Sequence, residues 1–328
     1  MLTALIVVLC IAGFLIIVAV CCYVAMRYTT NAFFKMDKHP NERGPDKPEF
    51  DSYEPFVKAI MIKFAECERW YFDTPHEDIS IKTQDGLTLH GSIMRPQTPS
   101  KKVLVMIPGF NPDYRLSREG AYSLTNIKYI DANLVCVETR AVNKVEGKYM
   151  TFGWLERFDM KCWIELLVKM FGDDCEIFIT GVSSGATVAM MTAALPNLPP
   201  QFKGCIPESF FASMRALIHD AAKARMGKDL PKSVIDFVAL SSKVVLGIDI
   251  DYMDVYKRYA DIKVPMLFLQ GGMDDQIPAE CFEPMVAACP VPHKAVVFPK
   301  SMHGTIPIDY PKEYAKAFAD FMDVRFLG

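Results

Sequence analysis

The sequence has no extended run of Lys or Arg, and its 36 basic against 39 acidic residues leave a net charge of -3. So balanced a chain offers a phosphate backbone no electrostatic footprint, which excludes nucleic acid as a partner. Its 10 cysteines include no C-x-x-C pair and no Cys/His cluster at zinc-ligand spacing. Cys10, Cys21 and Cys22 lie in the first apolar stretch, and Cys136, Cys175 and Cys205 fall in or beside apolar runs. Free, buried thiols of this kind suit a reducing compartment better than a disulfide framework. A cleavable signal peptide is also missing its parts: no basic residue precedes the first apolar run, and no clear small-x-small site follows it. What is there is the balance of a globular chain with a sizeable core, 51% apolar and 23% charged over 328 residues.

Residues 4–26 carry no charged side chain. At ~1.5 Å rise per residue this run reaches about 35 Å as a helix, enough to cross a hydrocarbon core of roughly 30 Å. Residues 1–27 are therefore expected to be an uncleaved membrane anchor. Arg27, Lys35, Lys38, Arg43 and Lys47 follow the run, and the positive-inside bias puts the rest of the chain in the cytoplasm. Residues 28–75 read as a Pro-bearing juxtamembrane linker and a helix, in which Phe56, Ile60, Phe64, Cys67 and Trp70 recur at helical spacing.

Residues 76–328 read as one α/β domain. A hairpin opens it, with residues 78–82, a turn at Asp85-Gly86, and alternating Leu87, Leu89, Gly91 and Ile93. Continuous apolar strands follow at 102–107, 134–137, 176–180, 204–206, 266–270 and 295–298, interleaved with helical patterns at 154–170 and 186–195. Strands apolar on both faces, alternating with helices, predict a mostly parallel sheet covered on both sides. Residues 212–259 break the alternation. They are helix-rich, carry Met214, Met226 and Met253, and are too long for a simple crossover, which predicts a cap over the strand ends.

The chemistry centres on Gly181-Val182-Ser183-Ser184-Gly185, a G-x-S-x-G with a strand before it and a helix after it. A serine on so tight a turn is pushed into the cleft, and the flanking Gly181 and Gly185 remove side chains that would collide there. Serine needs a positioned base to become a nucleophile. Of the 6 histidines, His303 lies in a loop just past the last strand, whereas His39, His76, His90, His219 and His293 sit in the linker, the N-terminal section, the cap or a strand. The acid is expected between serine and histidine in chain order, and Asp274, Asp275 and Glu208 each follow a strand there.

From about residue 78 to 321 the chain resembles an α/β-hydrolase of the acylglycerol-lipase and serine-aminopeptidase-like branch. It is similar in particular to bacterial members carrying one N-terminal transmembrane helix. The family's G-x-x-D-x-x-V-P loop corresponds to Gly271, Asp274, Ile277 and Pro278, which implies Asp274 as the acid, and its terminal His-Gly corresponds to His303 and Gly304. The resemblance implies a catalytic Ser183, Asp274 and His303, and an oxyanion hole from the Ser184 and Phe110 amides. Pro108-Gly109-Phe110 stands where the family has H-G-x, and the family's D-x-R-G-x-G-x-S run is altered to residues 138–145, beginning Glu138-Thr139-Arg140. The backbone donor survives the first change, because it needs no side chain.

The expectation is therefore a membrane-anchored α/β-hydrolase-fold enzyme, working without metal or organic cofactor on a small-molecule or lipid-derived ester. The alternatives are a serine peptidase acting on short peptides and a non-catalytic, membrane-tethered binding module.

Overall fold

The computed structural model describes residues 2–36, 51–52, 54–109, 129–142, 145–277 and 279–327. In chain order the elements are α1 (Leu2–Phe34), α2 (Pro55–Asp73), β1 (Glu77–Lys82), β2 (Thr88–Met94), β3 (Lys102–Ile107), β4 (Asn133–Val137), α3 (Glu156–Phe171), β5 (Glu176–Val182) and α4 (Ser184–Ala193). They continue with β6 (Phe202–Glu208), α5 (Met214–Met226), α6 (Lys232–Leu246), α7 (Val255–Arg258), β7 (Met266–Gly271), α8 (Ala279–Ala287), β8 (His293–Phe298), α9 (Ile306–Asp309) and α10 (Pro311–Met322).

The strands form one eight-stranded sheet in the order β1-β2-β4-β3-β5-β6-β7-β8. The hairpin of β1 and β2 is antiparallel, and β2 meets β4 antiparallel; every other pairing is parallel. The parallel pairs need helical crossovers; α3, α4 and the later helices supply those after β4, while most of the β3–β4 connection lies outside the described residues. At the centre, Val105 lies opposite both Val135 and Ile179.

Successive strand residues point to opposite faces, so each face has its own core. Val103, Val105, Ile177 and Ile179 pack with Trp163, Ile164 and Leu167 of α3. Leu104, Met106, Phe178 and Ile206 pack on the other face with Tyr314 and Phe318 of α10 and with Tyr71 of α2. Tyr71 also shares a 2.5 Å hydroxyl hydrogen bond with Ser92, so the C-terminal part of α2 is fastened to the domain.

One segment extends beyond its expected outline. The first helix passes the expected limit at residue 27 and runs to Phe34. Its last turns are fastened too: Thr30 and Phe34 are buried, the Met150 amide donates to the Phe34 carbonyl, and the Tyr149 hydroxyl donates to Asn31. Residues 9–34 keep a mean hydropathy of 2.8 over a membrane-long window that buries none of its residues in the domain, so α1 is long and apolar enough to cross a membrane. Residues 212–259 form α5, α6 and α7 without a sheet strand. Met214 and Met253 there are core residues, while Met226 is exposed.

Candidate active site

The parallel strands share one direction, so the loops after β5, β6, β7 and β8 gather at one sheet edge, and neighbouring strand order makes their occupants neighbours. Ser183 stands where β5 ends and α4 begins, with φ 56° and ψ -118°, a region that L residues rarely occupy. The turn is held that way by close backbone approach. A Cβ on Gly181 would come within 2.4 Å of the Gly185 carbonyl, and one on Gly185 within 2.4 Å of the Ile107 oxygen and 2.6 Å of the Pro108 oxygen. Only glycine fits at either position. The Ser183 amide donates to the Glu208 carbonyl at 2.9 Å, tying the turn to the end of β6.

His303 and Asp274 are brought together by two interlocking loops. The Gly272 amide donates to Phe298 and the Met273 amide to Ser301, and Gly271 leaves no room for a Cβ beside the Ser301 and Met302 carbonyls. His303 Nδ1 lies 2.9 Å from Asp274 Oδ2, with the carboxylate side chain fully buried and the imidazole largely so. The Gln276 and Ile277 amides donate to Asp274 Oδ1 at 3.0 and 2.8 Å. Burial alone would push this carboxyl up, but the His303 bond, the imidazole nearby and the Ile277 amide outweigh it and hold it below its ordinary value. An ionised Asp274 fixes the proton on His303 Nδ1 and leaves Nε2 as the acceptor.

Asp275 is exposed and Glu208 bonds elsewhere. Glu208 is fully buried, takes a 2.8 Å hydrogen bond from the Tyr314 hydroxyl, and its Oε1 has no partner among the described residues. Burial pushes its carboxyl up to about 7, against the pull of Tyr314 and His303.

Ser184 is buried as the first residue of α4, its amide at the helix N-terminus. Gly109 lies against the nucleophile turn, its Cβ position 3.7 Å from that of Ser183. Phe110 and Pro278 lie outside the described residues. No hydrogen bond joins Ser183 Oγ to His303 among the described residues, a gap that unliganded sites of this chemistry commonly show. The edge thus gathers a strained serine, an imidazole oriented by a carboxylate, and a helix N-terminus, the parts that acyl transfer requires.

The altered segment after β4 has a structural task that the sequence did not announce. Arg140 is buried and makes paired hydrogen bonds to Asp159 of α3 at 2.6 Å and to Asp85 of the β1–β2 turn at 2.8 and 3.0 Å. It pins the hairpin to the helix layer. The Arg140 guanidinium in turn lowers the Asp85 carboxyl to about 2.

A search of curated proteins finds no match to the chain. Among solved structures, an esterase of Pyrococcus furiosus is similar at 20% identity with a TM-score of 0.59, covering 90% of this chain and 100% of that one. An acylaminoacyl peptidase of Pyrococcus horikoshii is similar at 17% identity and a TM-score of 0.56, over 78% of this chain and 42% of that one. Dipeptidyl peptidase 4 of Porphyromonas gingivalis is similar at 19% identity and a TM-score of 0.53, over 75% and 35%. These likenesses establish the α/β-hydrolase fold. The model of the prolyl oligopeptidase family matches residues 159–327, just over half of the 328 residues, and takes in Ser183, Glu208, Asp274 and His303. The chain belongs to the prolyl oligopeptidase family.

Proposed function

We propose that the protein is a serine hydrolase that cleaves a carboxylic ester through an acyl-enzyme on Ser183. The observation that carries this reading is the buried Asp274–His303 hydrogen bond at the sheet edge where Ser183 is held at φ 56°. His303 Nε2 takes the proton from Ser183 Oγ as the oxygen attacks the substrate carbonyl. Asp274 stabilises the imidazolium that forms. The Ser184 and Phe110 amides hold the developing oxyanion. His303 then gives its proton to the leaving alcohol, and a water activated by the same imidazole releases the acid.

An ester is preferred as substrate because the chain matches the whole length of the Pyrococcus furiosus esterase but only 35–42% of the two peptidases. The second reading is hydrolysis of short peptides, and membership of the prolyl oligopeptidase family favours it. Within the superfamily, the loop from Gly271 to Ile277 and the His303-Gly304 pair support a place near the acylglycerol-lipase and serine-aminopeptidase-like branch. We read α1 as a single-span anchor with the catalytic domain on the cytoplasmic side, on the strength of Arg27, Lys35, Lys38, Arg43 and Lys47 after the span. A panel of p-nitrophenyl esters and aminoacyl anilides tests the substrate class. Turnover of the esters with the anilides untouched is expected, and the reverse pattern would establish the peptidase.

A further inference from the structure

Helix α6 has more apolar faces than the domain uses. Ile235, Val238, Ser241 and Ser242 are buried. Its charges form a second edge, where Lys232 and Arg215 pair with Asp236, and Lys243 pairs with Asp249. At 3.6 residues per turn, Phe237, Leu240 and Val244 fall together on a third face, which the charged edge does not interrupt. Their exposures are 37, 50 and 53%, too high for core residues and too closely grouped to be scattered surface.

The surroundings of this face specify its occupant. Helix α1, the apolar span, packs against α6 and leaves the stripe open beside it. Both elements are also rooted at the catalytic edge of the sheet. The foot of α1 is hydrogen-bonded to Tyr149 and Met150, in the loop that leaves the C-terminal end of β4. The cap begins just past Glu208 and Ser209, whose backbone groups bond the Ser183 turn and the end of β7. A bilayer crossed by α1 therefore reaches the molecule on the side where Ser183 opens.

We propose that α6 is an interfacial helix whose Phe237, Leu240 and Val244 face beds in the lipid bilayer beside α1, turning the catalytic edge toward the membrane surface. This rests on the reading of α1 as a membrane anchor. The charged edge lies at headgroup level and the apolar face enters the acyl boundary. A substrate dissolved in the membrane then enters from the lipid side, without crossing water.

The test uses the full chain in phosphatidylcholine and phosphatidylglycerol vesicles, with a photoreactive benzoylphenylalanine placed singly at Phe237, Leu240, Val18 or Lys169. Val18 lies within α1, and Lys169 is exposed at the end of α3 that leads to the start of β5, the opposite sheet edge. After irradiation, lipid adducts are read by intact mass. Adducts at Phe237, Leu240 and Val18, with none at Lys169, are the expected result. Adduct at Val18 without any at Phe237 or Leu240 overturns the docking of α6 and leaves the anchor standing. No adduct at Val18 overturns the anchor reading itself. Cross-links from Phe237 and Leu240 to a second copy of the chain instead of lipid would also overturn the proposal.

Discussion

Replacing Glu208 by glutamine isolates the buried carboxyl beside the catalytic pair. Glutamine keeps a carbonyl oxygen to accept from Tyr314, whose hydroxyl donates at 2.8 Å, but it cannot ionise. In the folded protein the Glu208 carboxyl titrates at about 7 against an ordinary value of 4.5, chiefly because of burial. Between those pH values the folded state keeps a proton that the unfolded chain releases, so stability falls as pH rises and is level above about 7. At about 1.4 kcal/mol per pH unit, the wild type loses about 3 kcal/mol across that window through this group alone. Glu208→Gln does not. Denaturant unfolding of both proteins in detergent, from pH 4.5 to 8, should show the variant gaining on the wild type by about this amount as pH rises. Parallel pH profiles would refute the reasoning. The variant should also keep most of its hydrolytic activity, because Glu208 bonds Tyr314 rather than His303.

Three further substitutions probe the same edge. Asp274→Asn should cost roughly a hundredfold or more in kcat/KM for an ester substrate while Asp275→Asn does little, since only Asp274 orients His303; equal losses would show the wrong acid. Gly185→Ala should destabilise the domain by about 3 kcal/mol or prevent folding, because its Cβ would press on the Ile107 and Pro108 carbonyls, both backbone and unable to yield; a melting temperature equal to wild type would contradict that steric reading.

The parts of the fold legible in the sequence were those written in local periodicity. β3 and β5 are continuous apolar runs because both faces of a central strand are buried, and the G-x-S-x-G between β5 and α4 announces a turn that only glycine can flank. The pairing of Asp274 with His303 was reached through loop spacing and family resemblance, and the structure brings those two together. Other features depend on partners distant in sequence, which no local pattern reveals. Tyr314 meets Glu208 across 106 residues, and Arg140 meets Asp85 across 55. The docking of Thr30 and Phe34 also comes from tertiary contact, which is why α1 continues past the apolar run. On α6, apolar residues on two faces read alike in sequence; only the packing separates Val238, which is buried, from Leu240, which is not.

The central claim is that Ser183 forms the acyl-enzyme, and intact mass after treatment with a fluorophosphonate tests it most directly. Wild type should gain one phosphonyl adduct that vanishes in Ser183→Ala, together with a loss of hydrolysis on the order of 10⁴ to 10⁶. Ser184→Ala should keep the adduct, because the donor at that position is a backbone amide that alanine retains. An adduct that persists in Ser183→Ala, or hydrolysis that survives the substitution, would contradict the account.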